Sequence, residues 1–412
     1  MAIPENKDFE KRTSFLGYRR PDGSVGVRNH VVIIPTVYCA NEPAKLIAGK
    51  IPGAVALPHP FGCDEPGPEL YYHGQVINNL VGIAENPNVT GVLVLGLGCE
   101  VLQSEALMER LAKAKKPVES LVIQEEGGTL KTLKKGMEIA QEMVDAIKGL
   151  RREEFDLCHL TVAVDCGGSD ATSGIAANPA VGEAIDRLIE TGGTAIFTEP
   201  GEMIGAEHIL ARRAVNDDVK KRIFQMVANE EKRWRSLDIE PRWMSPGNVE
   251  GGLTTIEEKS LGAIQKGGTK PIQGVLENSL HRLEKPRGKG LYLQDGTGAD
   301  VHGVTHMVAA GAQVVIFTTG KGSTIGYAVA PVIKVTGNPR TYGKMEDDMD
   351  INAGTIITGH ESIREVGERI FHKMASVASG EETQSEALGY KDFEIYGPNP
   401  FINKALNIKE GF

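Results

Sequence analysis

Short apolar runs, rich in β-branched residues, alternate along this chain with longer amphipathic stretches. Their residues are apolar at successive positions, which is typical of strands buried on both faces of a parallel sheet. The alternation therefore predicts the α/β class. Eight runs predict strands at 30–37, 54–58, 90–97, 119–124, 160–165, 194–198, 290–294 and 312–318. Ten stretches predict helices at about 40–50, 67–84, 101–115, 129–150, 179–191, 201–213, 216–235, 254–266, 302–310 and 361–378.

A domain boundary is predicted near residues 150–157, where a charged helix end precedes a new strand. We expect two Rossmann-like parallel-sheet domains with helices on both faces, over residues 1–155 and 156–412. In open α/β sheets, ligands bind beyond the carboxyl ends of the strands. Glycine, at 49 of 412 residues, is frequent in the polar turns at these points, where it allows close backbone approach. The five turns are HPFGCDE (59–65), GLGCE (96–100), DCGGSD (165–170), FTEPGE (197–202) and FTTGKGS (317–323).

Composition excludes several classes of protein. A net charge of −10 argues against nucleic-acid or anionic-membrane binding but leaves room for a locally positive pocket. No apolar run reaches the roughly 18 residues of a membrane span. The N-terminus lacks the apolar core of a signal peptide, so we expect a cytoplasmic protein. No complete dinucleotide or phosphate-loop motif is present. The odd number of cysteines predicts reduced thiols.

Cysteines in three of the strand-end turns are candidate metal ligands. Cys63 lies four residues after His59, while Cys99 and Cys166 each adjoin a carboxylate residue. Thiolate, imidazole and carboxylate groups are usual ligands of Fe²⁺ and Zn²⁺. The alternative for each cysteine is a small buried residue at a tight turn. Cys39 and Cys158 lack the polar glycine context, and we predict that both are core residues.

Polar side chains near the same strand ends could bind a carboxylate substrate. Arg28 and Asn29 precede the first predicted strand, and Lys321 lies in the last of the five turns. Arginine fits a carboxylate bidentately, whereas lysine supplies a point charge and can act as a base when its pKa is lowered. The alternative for Arg28 is a surface residue at the entry to a strand.

A distinctive segment, residues 245–268, ends in a predicted helix start. Thr254 is a possible N-cap with Glu257 as its capping-box partner, which places Glu258 and Lys259 in the first helical turn. The segment is either an ordinary helix start or a loop that presents Glu258 or Lys259 to a substrate.

The order of these motifs resembles that of the large, catalytic part of the altronate/galactarate dehydratase family. The matching stretches cover nearly the whole chain. They are GYRRPDGSVGVRNHVVIIPT (17–36), HPFGCDE, NPNVTGVLVLGLGCE (86–100), CGGSDATSGIAANPAVG (166–182), EHILARRAV (207–215), SPGNVEGGLTTIEEKSLG (245–262), FTTGKGS and EDDMDINAG (346–354).

The resemblance implies β-elimination of water from a sugar acid, giving a 2-keto-3-deoxy acid. Sugar-acid members depend on Fe²⁺ or a related divalent metal such as Mn²⁺. A sister branch, (R)-sulfolactate sulfo-lyase, expels sulfite and yields pyruvate. Fused members carry a small N-terminal SAF-type domain, whereas here only about 16 residues precede the first matching motif. We therefore expect the large subunit of a split enzyme, in a hetero-oligomer with a separate SAF-domain chain. The turn HPFGCDE is closer to the form found in altronate enzymes, and Lys321 stands where many members have arginine.

The chemistry of such an elimination assigns the candidate residues to roles. A cation must stabilise the enediolate-like intermediate, and a general base must remove the α-proton. We expect a divalent metal, Fe²⁺ first, on some of the candidate ligands, or alternatively a labile iron–sulfur cluster on three cysteines. Glu258 or Lys259 is the expected base. A non-catalytic sugar-acid-binding protein is the rival class. The expected metal ligands are His59, Cys63, Cys99 and Cys166. The expected substrate ligands are Arg28, Asn29, Ser169, Asp170, Lys321 and Ser323.

Overall fold

The computed structural model describes residues 13–63, 70–236, 238–279 and 282–395. Within them the strands are β1 (Ser14–Arg19), β2 (Val25–Gly26), β3 (His30–Pro35), β4 (Ala54–Ala56), β5 (Val89–Gly96), β6 (Val118–Val122), β7 (Glu153–Asp156), β8 (Thr161–Gly167), β9 (Thr194–Phe197), β10 (Ile272–Glu277), β11 (Gly290–Asp295), β12 (Val314–Thr319), β13 (Val332–Thr336) and β14 (Ile351–Asn352).

The α-helices in the same residues are α1 (Asn41–Ala48), α2 (Leu70–Glu85), α3 (Ser104–Leu111), α4 (Thr129–Ile147), α5 (Asn178–Glu190), α6 (Glu207–Ala211), α7 (Asp217–Ser236), α8 (Pro246–Glu250), α9 (Ile256–Ala263), α10 (Asp300–Ala309), α11 (Pro339–Lys344), α12 (Ile363–Ala378) and α13 (Gln384–Ala387). None of these helices is long and apolar enough to span a bilayer.

Two parallel sheets organise the chain. The larger has seven strands in the order β10-β11-β9-β8-β12-β13-β14, and the smaller has four in the order β4-β3-β5-β6. Every neighbouring pair in both sheets is parallel. The α/β class with helix-covered parallel sheets is thus confirmed. All eight predicted strand runs contain an observed strand, and seven of these strands are buried on both faces, the exception being the edge strand β6.

A third, antiparallel sheet has the order β2-β1-β7 and was not predicted. Its strands alternate buried and exposed residues or are very short, so they carry no continuous apolar run. Phe15 pairs with Phe155, which ties the start of the described chain to the region of the predicted domain boundary. The boundary between residues 155 and 156 falls inside β7.

The two parallel sheets share part of one apolar core. Helix α2 packs against α10, and residues of both sheets, among them Val92 and Val315, belong to one buried cluster with Leu80 and Met307. Helices α5 and α12 pack together over the larger sheet, where Val181 and Ile370 are completely buried. These layers hold the strands in a register that aligns their carboxyl ends.

Strand register sets which loops meet at the edge of the larger sheet. Cys166 of β8 pairs with Thr318 of β12, while Val164 pairs with Phe197, the last residue of β9. The loops that follow β8, β9 and β12 therefore leave the sheet side by side.

Candidate active site

Five ionisable side chains form a buried group at the carboxyl edge of the seven-stranded sheet, here termed the acid–lysine cluster. Cys166 belongs to the end of β8. Glu199 and Glu202 lie at the 3₁₀ turn Pro200–Met203 after β9. Lys259 comes from α9, and Lys266 from the 3₁₀ turn Ile264–Gly267 that follows it.

The members of the cluster are in direct contact. The Cys166 Sγ lies 3.1 Å from the Glu199 Oε2 and 2.9 Å from the Glu202 Oε2. The Lys266 Nζ lies 2.9 Å from the same Sγ and also forms an ion pair with Glu199. The Lys259 Nζ forms an ion pair with the Glu202 Oε1 at 2.6 Å and donates a hydrogen bond to Ser169.

Backbone strain accompanies this arrangement at Glu199. Its φ of 78° lies in the left-handed region, which residues with a side chain rarely adopt. Strain of this kind is concentrated at functional sites, where the surrounding structure maintains it. The ion pair to Lys266 and the contact with Cys166 hold the Glu199 side chain in place.

The pKa values of the two glutamates are shifted in opposite directions. Burial and the nearby Glu202 raise the pKa of Glu199. Burial also opposes ionisation of Glu202, but Lys259 and Lys266 lower its pKa to about 2. Glu202 is therefore ionised at neutral pH, and it faces both lysines.

The thiol and the lysines respond to the same surroundings. Burial, Glu199 and Glu202 raise the pKa of Cys166 well above its ordinary value. Burial opposes the charged form of each lysine, yet the negative groups around them raise the pKa of Lys259 and place that of Lys266 still higher. Both lysines are therefore ammonium ions in this state.

Two aspartates extend the acidic side of the cluster. Asp165 is buried, its Oδ2 has no hydrogen-bond partner among the described residues, and burial together with Glu199 raises its pKa well above normal. Asp300, the first residue of α10, lies over Gly167, where an added Cβ would come within 2.4 Å of its Oδ2. Burial and then Glu199 and Glu202 raise the pKa of Asp300 to about 6.

The donor set suits a divalent cation. One ligand atom from each of Cys166, Glu199 and Glu202 lies within 4.8 Å of the others, and no second group of three such residues occurs in the described ranges. Thiolate and carboxylate ligands are used by Fe²⁺ and Zn²⁺. Four carboxyl groups and a thiol here face only two ammonium groups, and the unpartnered Asp165 oxygen adds to the excess of acceptors. The residues present therefore fit the metal that the sequence predicts.

A cavity of about 290 Å³ lies beside the cluster, and Lys259 contributes to both. The structure brings four predicted site residues together around it, Ser169, Asp170, Glu258 and Lys259. The other lining residues are Ala171, Ser173, Gly174, Ile175, Asn178, Pro179, Leu253, Leu261, Gly262, Ala263 and Gln265.

Glu258 has a structural partner within its own helix start. Its carboxylate accepts hydrogen bonds from the Thr254 backbone N–H at 2.8 Å and from the Thr254 hydroxyl at 2.6 Å, and these bonds lower its pKa. The N-cap is Thr255, which accepts from the Glu258 N–H, so the predicted cap at Thr254 with Glu257 is wrong by one residue. Thr255 has an extended backbone and directly precedes Ile256, the first residue of α9, which is the position and conformation of an N-cap residue.

Asp170 lines the cavity, whereas the predicted substrate ligands Lys321 and Ser323 are not among its lining residues. The Asp170 carboxylate accepts hydrogen bonds from Thr172 and Asn338. The Lys321 backbone N–H donates to the Gly168 carbonyl at 2.8 Å, whereas its half-exposed side chain lies 3.6 Å from the Glu250 carboxylate. The Ser323 hydroxyl accepts from the Ile325 N–H.

Arg28 and Asn29 lie outside the cluster and do not line the cavity. All five N–H donors of Arg28 are used, by the carboxylate of Glu386 and by three backbone carbonyls. The Asn29 amide oxygen accepts from Arg20. Arg28 thus joins the start of β3 to the segment around α13, and it has no donor left in this conformation for a substrate carboxylate.

The predicted set of four metal ligands is divided between the two parallel sheets. Cys166 lies within β8 of the larger sheet, whereas His59, Cys63 and Cys99 follow strands of the smaller one. His59 is buried, its Nε2 lies 2.7 Å from the Pro35 carbonyl, and its Nδ1 accepts from the Phe61 N–H. Burial lowers the pKa of His59 to about 4, so the ring is neutral with both nitrogens engaged.

The cysteines of the smaller sheet are exposed. Cys63 and Cys99 face solvent, and Cys39 does too, so the prediction that Cys39 belongs to the core is wrong. Cys158, also predicted to be a core residue, is only partly buried. Cys39 lies in the short 3₁₀ turn Tyr38–Ala40 between β3 and α1, where of the three residues only Ala40 is buried.

Five residues of the site were not singled out by sequence reasoning. One signal was present, since FTEPGE was recognised as a strand-end turn although its two carboxylates received no role. Lys266 lies 100 residues from Cys166, a separation that no local pattern reveals. The missed residues are Asp165, Glu199, Glu202, Lys266 and Asp300.

A parallel α/β fold with an acid–base cluster and a candidate metal site at its strand ends defines an enzyme. Residues 17–148 match the family described as D-galactarate dehydratase/Altronate hydrolase, second domain, and residues 157–400 match D-galactarate/Altronate dehydratase, C-terminal. The chain therefore belongs to the galactarate/altronate dehydratase family, as its motifs predict, and it is a lyase.

Three relatives illustrate the range of the family. The (2R)-sulfolactate sulfo-lyase subunit beta of Chromohalobacter salexigens is 38% identical over 93% of this chain and 97% of its own length. The altronate dehydratase of Bacillus subtilis is 35% identical over 95% of this chain and 79% of its own. The galactarate dehydratase (L-threo-forming) of Escherichia coli is 36% identical over 97% and 79%.

Proposed function

We propose that this chain catalyses β-elimination from an anionic 2-hydroxy acid as the large subunit of a metal-dependent two-chain enzyme. The observation that carries the proposal is the position of Lys259, which lines the cavity and is paired with Glu202 of the buried cluster. A substrate in the cavity would thus meet a fixed positive charge beside candidate metal ligands.

Stabilisation of the intermediate is the main requirement of such a reaction. Removal of the α-proton places a second negative charge on the substrate carboxylate, and preorganised cations in a dry site stabilise it best. Lys259 supplies one cation, and the Ser169 hydroxyl, 3.1 Å from its Nζ, can bind the same group. Asp170 borders the cavity and holds the Ser169 loop against Asn338.

We propose Asp300, which lies over Gly167 beside the acid–lysine cluster, as the general base. A general base works best when its pKa lies near the working pH, and the pKa of Asp300 is about 6. Lys259 is already protonated, and hydrogen bonds from Thr254 hold Glu258, so the base expected from the sequence is reassigned. Lys259 keeps a role as the cation that binds the developing charge.

Cys166, Glu199 and Glu202 would hold the divalent metal, with Fe²⁺ preferred and Mn²⁺ as a substitute. When bound, such an ion acts as a Lewis acid on the substrate oxygens. Lys266, which contacts all three ligands, balances their negative charge. Replacement of a metal ligand should weaken metal binding. We expect Cys166→Ser and Glu202→Gln each to bind Mn²⁺ less tightly than wild type, as measured by electron paramagnetic resonance.

Water from a sugar acid is the first candidate for the leaving group, in line with the altronate and galactarate dehydratases among the relatives. Sulfite from (R)-sulfolactate is the second. This second candidate is supported by the 38% identity to the sulfo-lyase subunit beta over 93% of this chain. Because that relative is named as one subunit of its enzyme, we propose a separate small partner chain with a SAF-type domain in a cytoplasmic hetero-oligomer.

The experiment combines this chain, a co-expressed SAF-type small chain and Fe²⁺ under anaerobic conditions. Altronate, galactarate and (R)-sulfolactate are supplied separately, and the formation of 2-keto-3-deoxy acid and of sulfite is measured. Lys259→Met should abolish turnover, whereas Lys270→Met, which removes an exposed ion pair with Glu190, should not. Binding of all three acids without any product would establish the rival class of a non-catalytic binding protein.

A further inference from the structure

We propose that Cys39, Cys63 and Cys99 form a second metal-binding site, which takes an iron–sulfur cluster. The site lies at the carboxyl edge of the four-stranded sheet, apart from Cys166 on the seven-stranded sheet. It does not depend on the lyase activity proposed above.

Backbone hydrogen bonds hold the three cysteine-bearing loops against one another. The Tyr38 N–H donates to the Phe61 carbonyl at 3.0 Å, and the Val101 N–H donates to the Gly62 carbonyl at 2.9 Å. Each cysteine is no more than two residues from one of these bonds, because Cys39 follows Tyr38, Cys63 follows Gly62, and Cys99 precedes Val101 by two. The loop that carries Cys63 is thus the bridge between the other two.

Gly62 makes this close approach feasible. Its φ is +94°, and a Cβ at this position would lie 2.0 Å from the carbonyl oxygen of Thr36. Only glycine therefore allows the Cys63 loop to lie directly on the end of β3. The packing of the Cys63 loop against β3 therefore depends on glycine at position 62.

The cysteines are the unengaged ligands of these loops. His59 uses both ring nitrogens, and the Glu100 carboxylate accepts hydrogen bonds from Thr36, Leu97 and Gly98. The three thiols, by contrast, are exposed. Free cysteine is among the most buried residue types, so three exposed thiols at one sheet edge are unusual.

A cluster, unlike a single ion, does not require its three sulfur ligands to be in mutual contact. The three Sγ atoms do not all lie within 4.8 Å of one another in the described structure. A tetrahedral zinc site with bonds of about 2.3 Å brings its sulfur ligands closer together than that. In an iron–sulfur cluster each cysteine binds a different iron, so the sulfurs can lie further apart.

The test uses the full chain, reconstituted anaerobically with Fe²⁺ and sulfide and then desalted. Bound iron, acid-labile sulfide and visible absorbance are measured. Wild type should retain iron and sulfide together, and each of Cys39→Ser, Cys63→Ser and Cys99→Ser should lose most of both. Cys158→Ser and Cys166→Ser should retain the labile sulfide, since those residues lie elsewhere.

A pair of glycine variants tests the geometry with every cysteine intact. Gly62→Ala should prevent cluster assembly, because its Cβ would displace the loop from Thr36. Gly23→Ala is the matched control, since Gly23 has a φ of +87° but no atom within 4 Å of the added Cβ. Circular dichroism confirms that both variants are folded.

Three results would overturn the proposal. They are labile sulfide that persists in the three single variants, sulfide that is lost in Cys166→Ser, and iron bound by wild type without sulfide. A chain that assembles the cluster but turns over no acid would refute the proposed function alone.

Discussion

The substitution Lys266→Met should show how strongly the buried cluster depends on its balance of charges. Lys266 and Glu199 form an ion pair in which each side chain is only 1% exposed. Removal of one partner from a buried pair costs about 3–5 kcal/mol, because the remaining charge is left without compensation in the interior. Methionine preserves most of the side-chain volume, so the loss of charge dominates the effect.

The penalty should depend on pH in a defined direction. A cost of about 3–5 kcal/mol corresponds to a rise in the folded-state pKa of Glu199 of roughly 2–4 units, at 1.36 kcal/mol per unit. The reference is the pKa of Glu199 in folded wild type, which burial and Glu202 already raise. The loss of stability relative to wild type is therefore small below that pKa, grows as pH rises towards the higher pKa of Glu199 in the variant, and is complete above it.

The assay is urea denaturation of both proteins at several pH values, each compared with wild type at the same pH. Lys270→Met serves as control, since its exposed pair with Glu190 should contribute no more than about 1 kcal/mol. A loss for Lys266→Met as small as that of the control, or one independent of pH, would refute the reasoning.

Three further predictions concern activity. The kcat/KM of the metal-loaded enzyme should fall about tenfold per pH unit below the pKa of Asp300, about 6, because the base becomes protonated; a pH profile with the same acidic limb in Asp300→Asn would contradict this. Glu258→Ala should lower the unfolding free energy by about 1 kcal/mol, because the helix start loses the hydrogen bonds between Glu258 and Thr254, but kcat should be nearly unchanged. A loss of kcat as large as that of Lys259→Met would instead identify Glu258 as the base. Arg28→Met should lower the unfolding free energy by about 2–3 kcal/mol without raising KM, since the five donors of Arg28 bind only protein groups. A raised KM at unchanged stability would indicate that Arg28 binds the substrate.

The positions of the cysteines illustrate what sequence reasoning could not predict, namely which turns share a sheet edge. The turns at 59–65, 96–100 and 165–170 look alike in the sequence, since each combines glycine, cysteine and a carboxylate at the end of an apolar run. Nothing in the runs states which strands share a sheet. Parallel pairing placed the first two turns at one sheet edge and the third at another.

The sequence by itself determined the elements and the places where chemistry is possible. A strand that is buried on both faces is recognised in the sequence as an unbroken apolar run, and the turn that follows it is recognised by its glycine and polar residues. Ser169, Asp170 and Lys259 were identified in this way, and the structure brings them together around one cavity.

The tertiary structure decided which side chains meet and what charge they carry. Lys266 contacts Cys166 across 100 residues, and Glu199 takes its left-handed backbone only within the packed strand ends. The pKa of a group depends on its burial and on its charged neighbours, and neither exists before the chain has folded. For that reason Lys259 is a cation beside the cavity, and Asp300, which sequence reasoning did not single out, has a pKa raised to about 6.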